Sequence, residues 1–217
     1  MIPKKIHQIW IGNEKLPSEY FLYKQKFELY FPSYEYVLWN NETVKEIKIP
    51  DELKSCYYDD SLHIVFKCDV LRYLIINTYG GLYFDIDFEP LKSFPIPFME
   101  FDFLGAKQNN GEIAIGFFGA IKNSNILKKV INNLYNNITI CKNTYRYKNE
   151  FIYQLSGPEY FNKIVNENIG INDFIFTKEY FYPYWFTECN RKTEDFRITS
   201  PMAYAVHHWK ASWTNIL

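Results

Sequence analysis

Apolar residues along this chain fall into short runs whose period switches between the two-residue repeat of strands and the longer repeat of helices. KKIHQIWIG, at residues 4–12, is rich in β-branched and aromatic residues between Pro3 and Gly12 and predicts a first strand. PSEYFLYKQKFELYF, at 17–31, predicts a helix with Ser18 as its N-cap and Pro32 as its stop. YEYVLW at 34–39 is a second strand, and NETVKEI at 41–47 opens another helix. The longest apolar element is HIVFKCDVLRYLIINTY at 63–79, with Ser61 before it and Gly80 and Gly81 behind it, and its few polar faces predict a largely buried helix. LYFD follows as a short inner strand. Strands at 101–105, 113–120 and 174–177, helices at 124–136 and 158–167, and a last strand at 203–208 complete the pattern. Strands alternating with helices predict an α/β fold with a mostly parallel sheet, organised as one domain over residues 1–217 without repeats or linkers.

Composition narrows the partners. A formal charge of -1 supplies no concentrated basic surface for nucleic acid or an anionic membrane, so any bound anion must be met locally. Cys56, Cys68, Cys141 and Cys189 lack zinc-ligand spacing and read as free thiols of a reducing compartment. No run reaches the length of a membrane span, and MIPKKIHQIWIG lacks the apolar core of a secretory signal. A cytoplasmic location is expected, in which the N-x-T sequons at Asn41 and Asn137 carry no meaning. Aromatic residues make up 20% of the chain, but they are abundant together with Asn, Ile and Lys, so only those in specific contexts bear on function.

Candidate chemistry gathers in GGLYFDIDFEP at 80–90. On a continuing strand Asp85 and Asp87 project to one side and Ile86 to the other. Such a pair at the carboxyl end of a strand lies where open α/β sheets bind ligands. Two convergent carboxylates repel unless a cation or a proton lies between them, and a hard divalent ion answers that need. Three rival readings stand beside it. The acids could simply cap a solvated strand end. A calcium loop fails because Pro90 occupies the turn glycine's place. A phosphohydrolase with an aspartyl nucleophile shares the D-x-D, but Phe88 stands where a small hydroxyl residue is expected. CDVLRY at 68–73 adds Asp69 and Arg72 on one helix face, either as a local ion pair or as ligand-binding groups.

Four stretches together, IPKKIHQIWIG, CDVLRYLIINTYGGLYFDID, SGPEYF and AVHHWKASW, resemble the D-x-D sugar transferases of glycosyltransferase family 32, which include fungal-type mannosyltransferases and bacterial capsule-type hexosyltransferases. The core is also similar to that of the large clostridial glucosylating toxins. The resemblance runs from residue 2 to residue 213. It implies a GT-A fold, a Rossmann-like sheet binding a nucleotide sugar through a divalent metal, commonly Mn2+ or else Mg2+. It implies Trp10 stacked on the base, Tyr83 beside the nucleotide or sugar, and Asp69 with Arg72 gripping the donor sugar. Asp85 matches the acid nearer the ribose and metal, and Asp87 the direct metal ligand. His207 or His208 is implied as a third ligand, with His207 favoured, and Ser212 and Trp213 as phosphate contacts. His7 is assigned to structure, and Gly157 with Pro158 to a helix start near the acceptor.

The resemblance further implies retention at the anomeric carbon, a hexose donor of the UDP-linked kind, and a glycan or lipid-linked sugar acceptor in surface polysaccharide synthesis, with peripheral membrane association. Two other classes remain in competition at this stage, the metal-dependent phosphohydrolase and a catalytically silent sugar-nucleotide-binding module.

Overall fold

The computed structural model describes residues 1–144 and 150–210, with the side chains of 140–144, 150, 151 and 189 left out. Ser212 and Trp213 therefore lie outside the described residues. The elements are β1 (Lys5–Ile9), α1 (Ser18–Tyr30), β2 (Glu35–Trp39), α2 (Asp51–Tyr57), α3 (Ile64–Tyr79), β3 (Gly81–Phe84), β4 (Phe88–Pro90), β5 (Phe103–Lys107), β6 (Ile113–Ala120), α4 (Asn125–Thr144), α5 (Glu150–Leu155), α6 (Pro158–Asn168), β7 (Asp173–Phe176), α7 (Phe196–Thr199) and β8 (Ala205–His207). A six-stranded sheet runs in the order β2-β1-β3-β6-β5-β7. Only β6 opposes its neighbours, so the sheet is mostly parallel, as the alternation of strands and helices predicts.

The sheet separates two apolar layers. On one face α3, α4 and α6 pack Phe66, Val70, Leu127, Leu134, Phe161 and Val165 around Tyr83 and Phe118. On the other, Phe27 and Phe31 of the α1 segment join Phe84, Phe88, Phe94, Phe117, Phe176 and Phe181. Phe117 and Phe181 stack with centroids 3.8 Å apart, and most of the aromatic surplus is thus core. Each such ring contributes about 2 kcal/mol by leaving water.

Four local expectations change. Pro17, not Ser18, precedes α1 as its cap, and the Ser18 hydroxyl donates to Glu19 instead. Residues 41–47 form only a short 3-10 turn at Thr43–Glu46, because the Asn40 side chain accepts from the Glu42 and Thr43 N–H groups and fixes a tight bend. His63 caps α3, its Nδ1 accepting from the Val65 N–H at 3.3 Å, in place of Ser61. The terminal strand does not enter the main sheet: β8 pairs antiparallel with β4, with Phe88 opposite His207.

At the end of α3 the backbone turns through Gly80 (φ 67°) and Gly81 (φ 110°), a region that side-chain-bearing residues avoid. A Cβ on Gly81 would also lie 2.8 Å from Lys5 O. This closeness lets β3 pair with β1 immediately after the helix. His7 on β1 seals the joint: Nδ1 accepts from the Trp39 indole at 3.1 Å, which leaves Nε2 to donate to Gly80 O at 3.0 Å. Burial lowers its pKa to about 4, so it stays neutral and structural.

Candidate active site

Trp10 and Asp85 follow the carboxyl ends of the neighbouring parallel strands β1 and β3, and between them opens a cleft of about 520 Å3 that α3, β6 and β8 also line. The strand alternation inferred for the two acids does not hold, because β3 ends at Phe84. Asp85 to Phe88 instead form a turn closed by the Phe88 N–H on Asp85 O at 3.1 Å, and the turn brings both carboxylates to the cleft. Gln8, fully buried on β1, pins that turn by donating to Asp85 O at 3.0 Å. Its role is invisible in sequence, since an isolated Gln in a strand gives no signal.

The two acids occupy different fields. Asp85 Oδ1 accepts from Arg72 Nη1 at 3.0 Å and from the Tyr83 hydroxyl at 2.7 Å, which leaves Oδ2 turned to the cleft. Burial and the neighbouring Asp87 push its pKa up, against the pull of Arg72 and His207. Asp87 is held at both oxygens, with His207 Nε2 3.1 Å from Oδ1 and the Lys210 N–H donating to Oδ2 at 2.9 Å. Burial opposes its charge, but His207 and the Lys210 N–H outweigh it and bring the pKa down to about 2. His207 moves the other way: burial disfavours its proton, yet Asp87 and Asp85 hold the pKa above its usual value.

Of the two histidines, the structure brings His207 to the acids and holds His208 away. His208 Nε2 meets Glu89 at 2.8 Å and its ring stacks on Tyr23 at 5.3 Å, so it is a poor candidate ligand. The reason is the β4–β8 ladder, which turns successive side chains to opposite faces.

Arg72 and Asp69 come from α3. Asp69 is fully buried and Arg72 is 6% exposed, their closest atoms 3.3 Å apart. The guanidinium also lies 4.8 Å from the Tyr83 ring centre and donates to Ile115 O at 3.0 Å. That carbonyl is available because the β5–β6 register shifts between Gly105 and Lys107, a bulge that re-aims the middle of β6 toward the cleft. Ser156, between α5 and α6, opens the SGPEYF stretch but has no role assigned from the sequence; it donates to Asp69 Oδ2 at 2.8 Å. Burial lifts the Asp69 pKa to about 7, with Arg72 and Ser156 opposing. Gly157 and Pro158 line the cleft directly. Trp10 is half-buried there, its indole donating to Glu14 O at 2.8 Å.

Asp85, Asp87 and His207 can each offer a ligand atom within 4.8 Å of the others. Two carboxylates and one imidazole suit a hard divalent cation such as Mn2+ or Mg2+. Buried polar atoms without partners beside the site, His207 Nδ1 and the Tyr182 hydroxyl, fit a cleft completed by a polar ligand. Cys68, on the cleft side of α3, is a free thiol whose pKa burial raises to about 12, which makes it a poor nucleophile. No helix among the described residues is long and apolar enough to cross a membrane.

Residues 17–110 match the family described as "Glycosyltransferase sugar-binding region containing DXD motif". The chain is 36% identical over 101 residues to inositol phosphoceramide mannosyltransferase 3 of Schizosaccharomyces pombe, covering 43% of this chain and 28% of that protein. It is 31% identical over 137 residues to the uncharacterized glycosyltransferase L373 of Acanthamoeba polyphaga mimivirus, covering 61% of this chain and 48% of that one. The chain thus spans less than half the length of these two curated relatives. The UDP-bound glycosyltransferase domain of the YGT toxin superposes with a TM-score of 0.61 at 10% identity, over 80% of this chain and 79% of that domain. That likeness speaks to the fold alone, which is GT-A. The segment that carries β3, Asp85 and Asp87 is thus the part of the chain that is similar to the DXD-containing sugar-binding region of glycosyltransferases, mannosyltransferases among them.

Proposed function

We propose that the chain transfers a hexose from a nucleotide sugar to a glycan or lipid-borne acceptor, with a divalent cation held by Asp85, Asp87 and His207. The observation that carries this reading is the convergence of those three side chains at one end of a cleft that Trp10 lines at another strand end. Trp10 offers a ring face to the base, and Arg72 and Asp69 offer hydrogen bonds to sugar hydroxyls. A divalent cation, when bound, supplies neutralisation of the charge that accumulates on the departing diphosphate. The carboxylates Asp69, buried, and Asp85 and Asp87, half-buried, are each engaged by Arg72, Ser156, Tyr83 or His207, which supports a displacement without a side-chain nucleophile. In that step the acceptor oxygen bonds to the anomeric carbon on the face from which the diphosphate leaves, and the acceptor's proton passes to a phosphate oxygen. Configuration is thereby retained.

The name of the Schizosaccharomyces pombe relative supports a lipid-borne acceptor and, among the donors that the sequence leaves open, UDP-hexoses, their N-acetyl forms and GDP-mannose, it supports mannose. A panel of UDP-hexoses, their N-acetyl forms and GDP-mannose, incubated with Mn2+ and scored for donor breakdown, tests the reading. At least one donor is cleaved by the parent, and Asp87→Asn loses that activity a hundredfold or more. Equal breakdown by both proteins removes the site assignment. Phosphate release from simple esters points to the phosphohydrolase, and binding without turnover to the silent module.

A further inference from the structure

The notch above Gly116 sits beside the acids but lacks the contacts that a purely structural role would give it. Tyr182 is 1% exposed, and its ring packs edge-on against Phe88 at 5.5 Å and His207 at 5.5 Å. Its hydroxyl is buried and completes no hydrogen bond among the described residues. The Phe117 N–H bears on the phenol oxygen without meeting hydrogen-bond geometry, so the O–H proton is the part left to give. The surrounding core is built of Phe84, Phe88, Phe117 and Phe181, so phenylalanine is the ordinary occupant of this environment. A hydroxyl added to such a core without a partner destabilises it.

The hydroxyl instead borders a space. A methyl group on Gly116 would lie 2.9 Å from Asp85 Oδ2 and 3.2 Å from the Tyr182 hydroxyl, and all three residues line the cleft. The order of the sheet gives direction: Trp10 follows β1, Asp85 follows β3 and Gly116 belongs to β6, the next strand across. A nucleotide laid out from Trp10 crosses Asp85 before it reaches this notch. We infer, on the reading of the cleft as a nucleotide-sugar site, that the Tyr182 hydroxyl donates a hydrogen bond to the distal, sugar-bearing phosphate of the donor. A side chain at position 116 would crowd both the phenol and Asp85 Oδ2, and a phenol retains its proton at neutral pH.

Tyr182→Phe separates this role from a structural one. Its melting temperature without added ion or ligand is unchanged or higher than the parent's, because a partnerless buried hydroxyl has gone. Calorimetry with Mn2+ shows UDP or GDP bound roughly tenfold to hundredfold more weakly, the value of a hydrogen bond to a charged group, while UMP or GMP binds within about twofold of the parent. Unchanged diphosphate affinity in a variant of a parent that binds overturns the inference, as does an equal loss for the monophosphate. A marked fall in melting temperature with intact affinity assigns the residue to packing. A parent that binds none of these nucleotides sinks the donor-site reading itself, and the inference with it.

Discussion

Arg72 reaches across to Asp85 at 3.0 Å while its other terminal nitrogen lies 3.3 Å from Asp69, so one guanidinium joins the helix before the paired glycines to the acid after them. Breaking a buried ion pair leaves an uncompensated charge, which costs far more than the pair itself contributes. Arg72→Met is expected to lose about 3 kcal/mol of stability, and the double change with Asp69→Asn to lose less than the two single changes added together. Chemical denaturation of the four proteins closes that cycle.

Ser156 acts on the cleft only through Asp69. Ser156→Ala removes the donor at 2.8 Å from a carboxylate whose other oxygen, Oδ1, already lacks a hydrogen bond. A stability loss of about 1–3 kcal/mol is expected. If Asp69 contacts the donor sugar, the Michaelis constant for the donor rises as well, while affinity for the free nucleoside diphosphate stays as it was. Steady-state kinetics alongside calorimetry distinguish the two effects.

Two histidines set opposite slopes of stability against pH. His207, raised in the fold, stabilises the ion-free protein fully below its unfolded pKa near 6.5 and ceases to do so as pH rises through its folded value. His7, lowered to about 4, works the other way: between 6.5 and 4 the unfolded chain takes up a proton that the folded chain refuses, at a cost on the order of 3 kcal/mol. Asp87, lowered to about 2, contributes above its unfolded value near 3.9 and is lost only as pH falls toward 2. The ion-free protein is therefore expected to be most stable near neutrality, with His7→Gln flattening the acid limb and His207→Gln the alkaline one. Adding Mn2+ should reverse the alkaline slope, because a ligating imidazole nitrogen must first lose its proton. Thermal melts from about pH 4.5 to 9, with EDTA and with Mn2+, check all three statements.

Trp10 is half-buried and fixed by its indole bond to Glu14 O. Trp10→Ala should leave the melting temperature nearly unchanged and weaken UDP or GDP binding by about 1–3 kcal/mol, the worth of a base–aromatic stack. Affinity unaffected by the change would place the base elsewhere.

The fold class was legible in the sequence because its signals are local: periodicity, the apolar length of α3, and the glycines that end it. Within the cleft, Asp85, Asp87, Asp69 and Arg72 were legible as candidates for the same reason, since they lie in two short motifs either side of the paired glycines, whereas Trp10 and Tyr83 stand out only through the resemblance. What was illegible depends on distant partners. Strand alternation gave the wrong cause for the convergence of the acids, which a turn held by Gln8 produces. No local pattern marks Tyr182, and the SGPEYF stretch marks Ser156 without showing its partner, because the positions of both are set by packing of the later helices and loop against α3 and β6. The helix expected at 41–47 failed because Asn40 satisfies the backbone in another way.

The short ladder between β4 and β8 is what carries His207 to the acids, and its two strands are far apart in the chain, β4 following directly on the turn of the two acids and β8 coming after all the other elements described. During synthesis the acids leave the ribosome well before the imidazole, so the donor trio is incomplete until β5, β6, β7 and the helices between them have been made. Cation affinity thereby becomes a readout of finished folding: intermediates that already possess the main sheet should ignore manganese, and only molecules that have zipped this last ladder should respond to it.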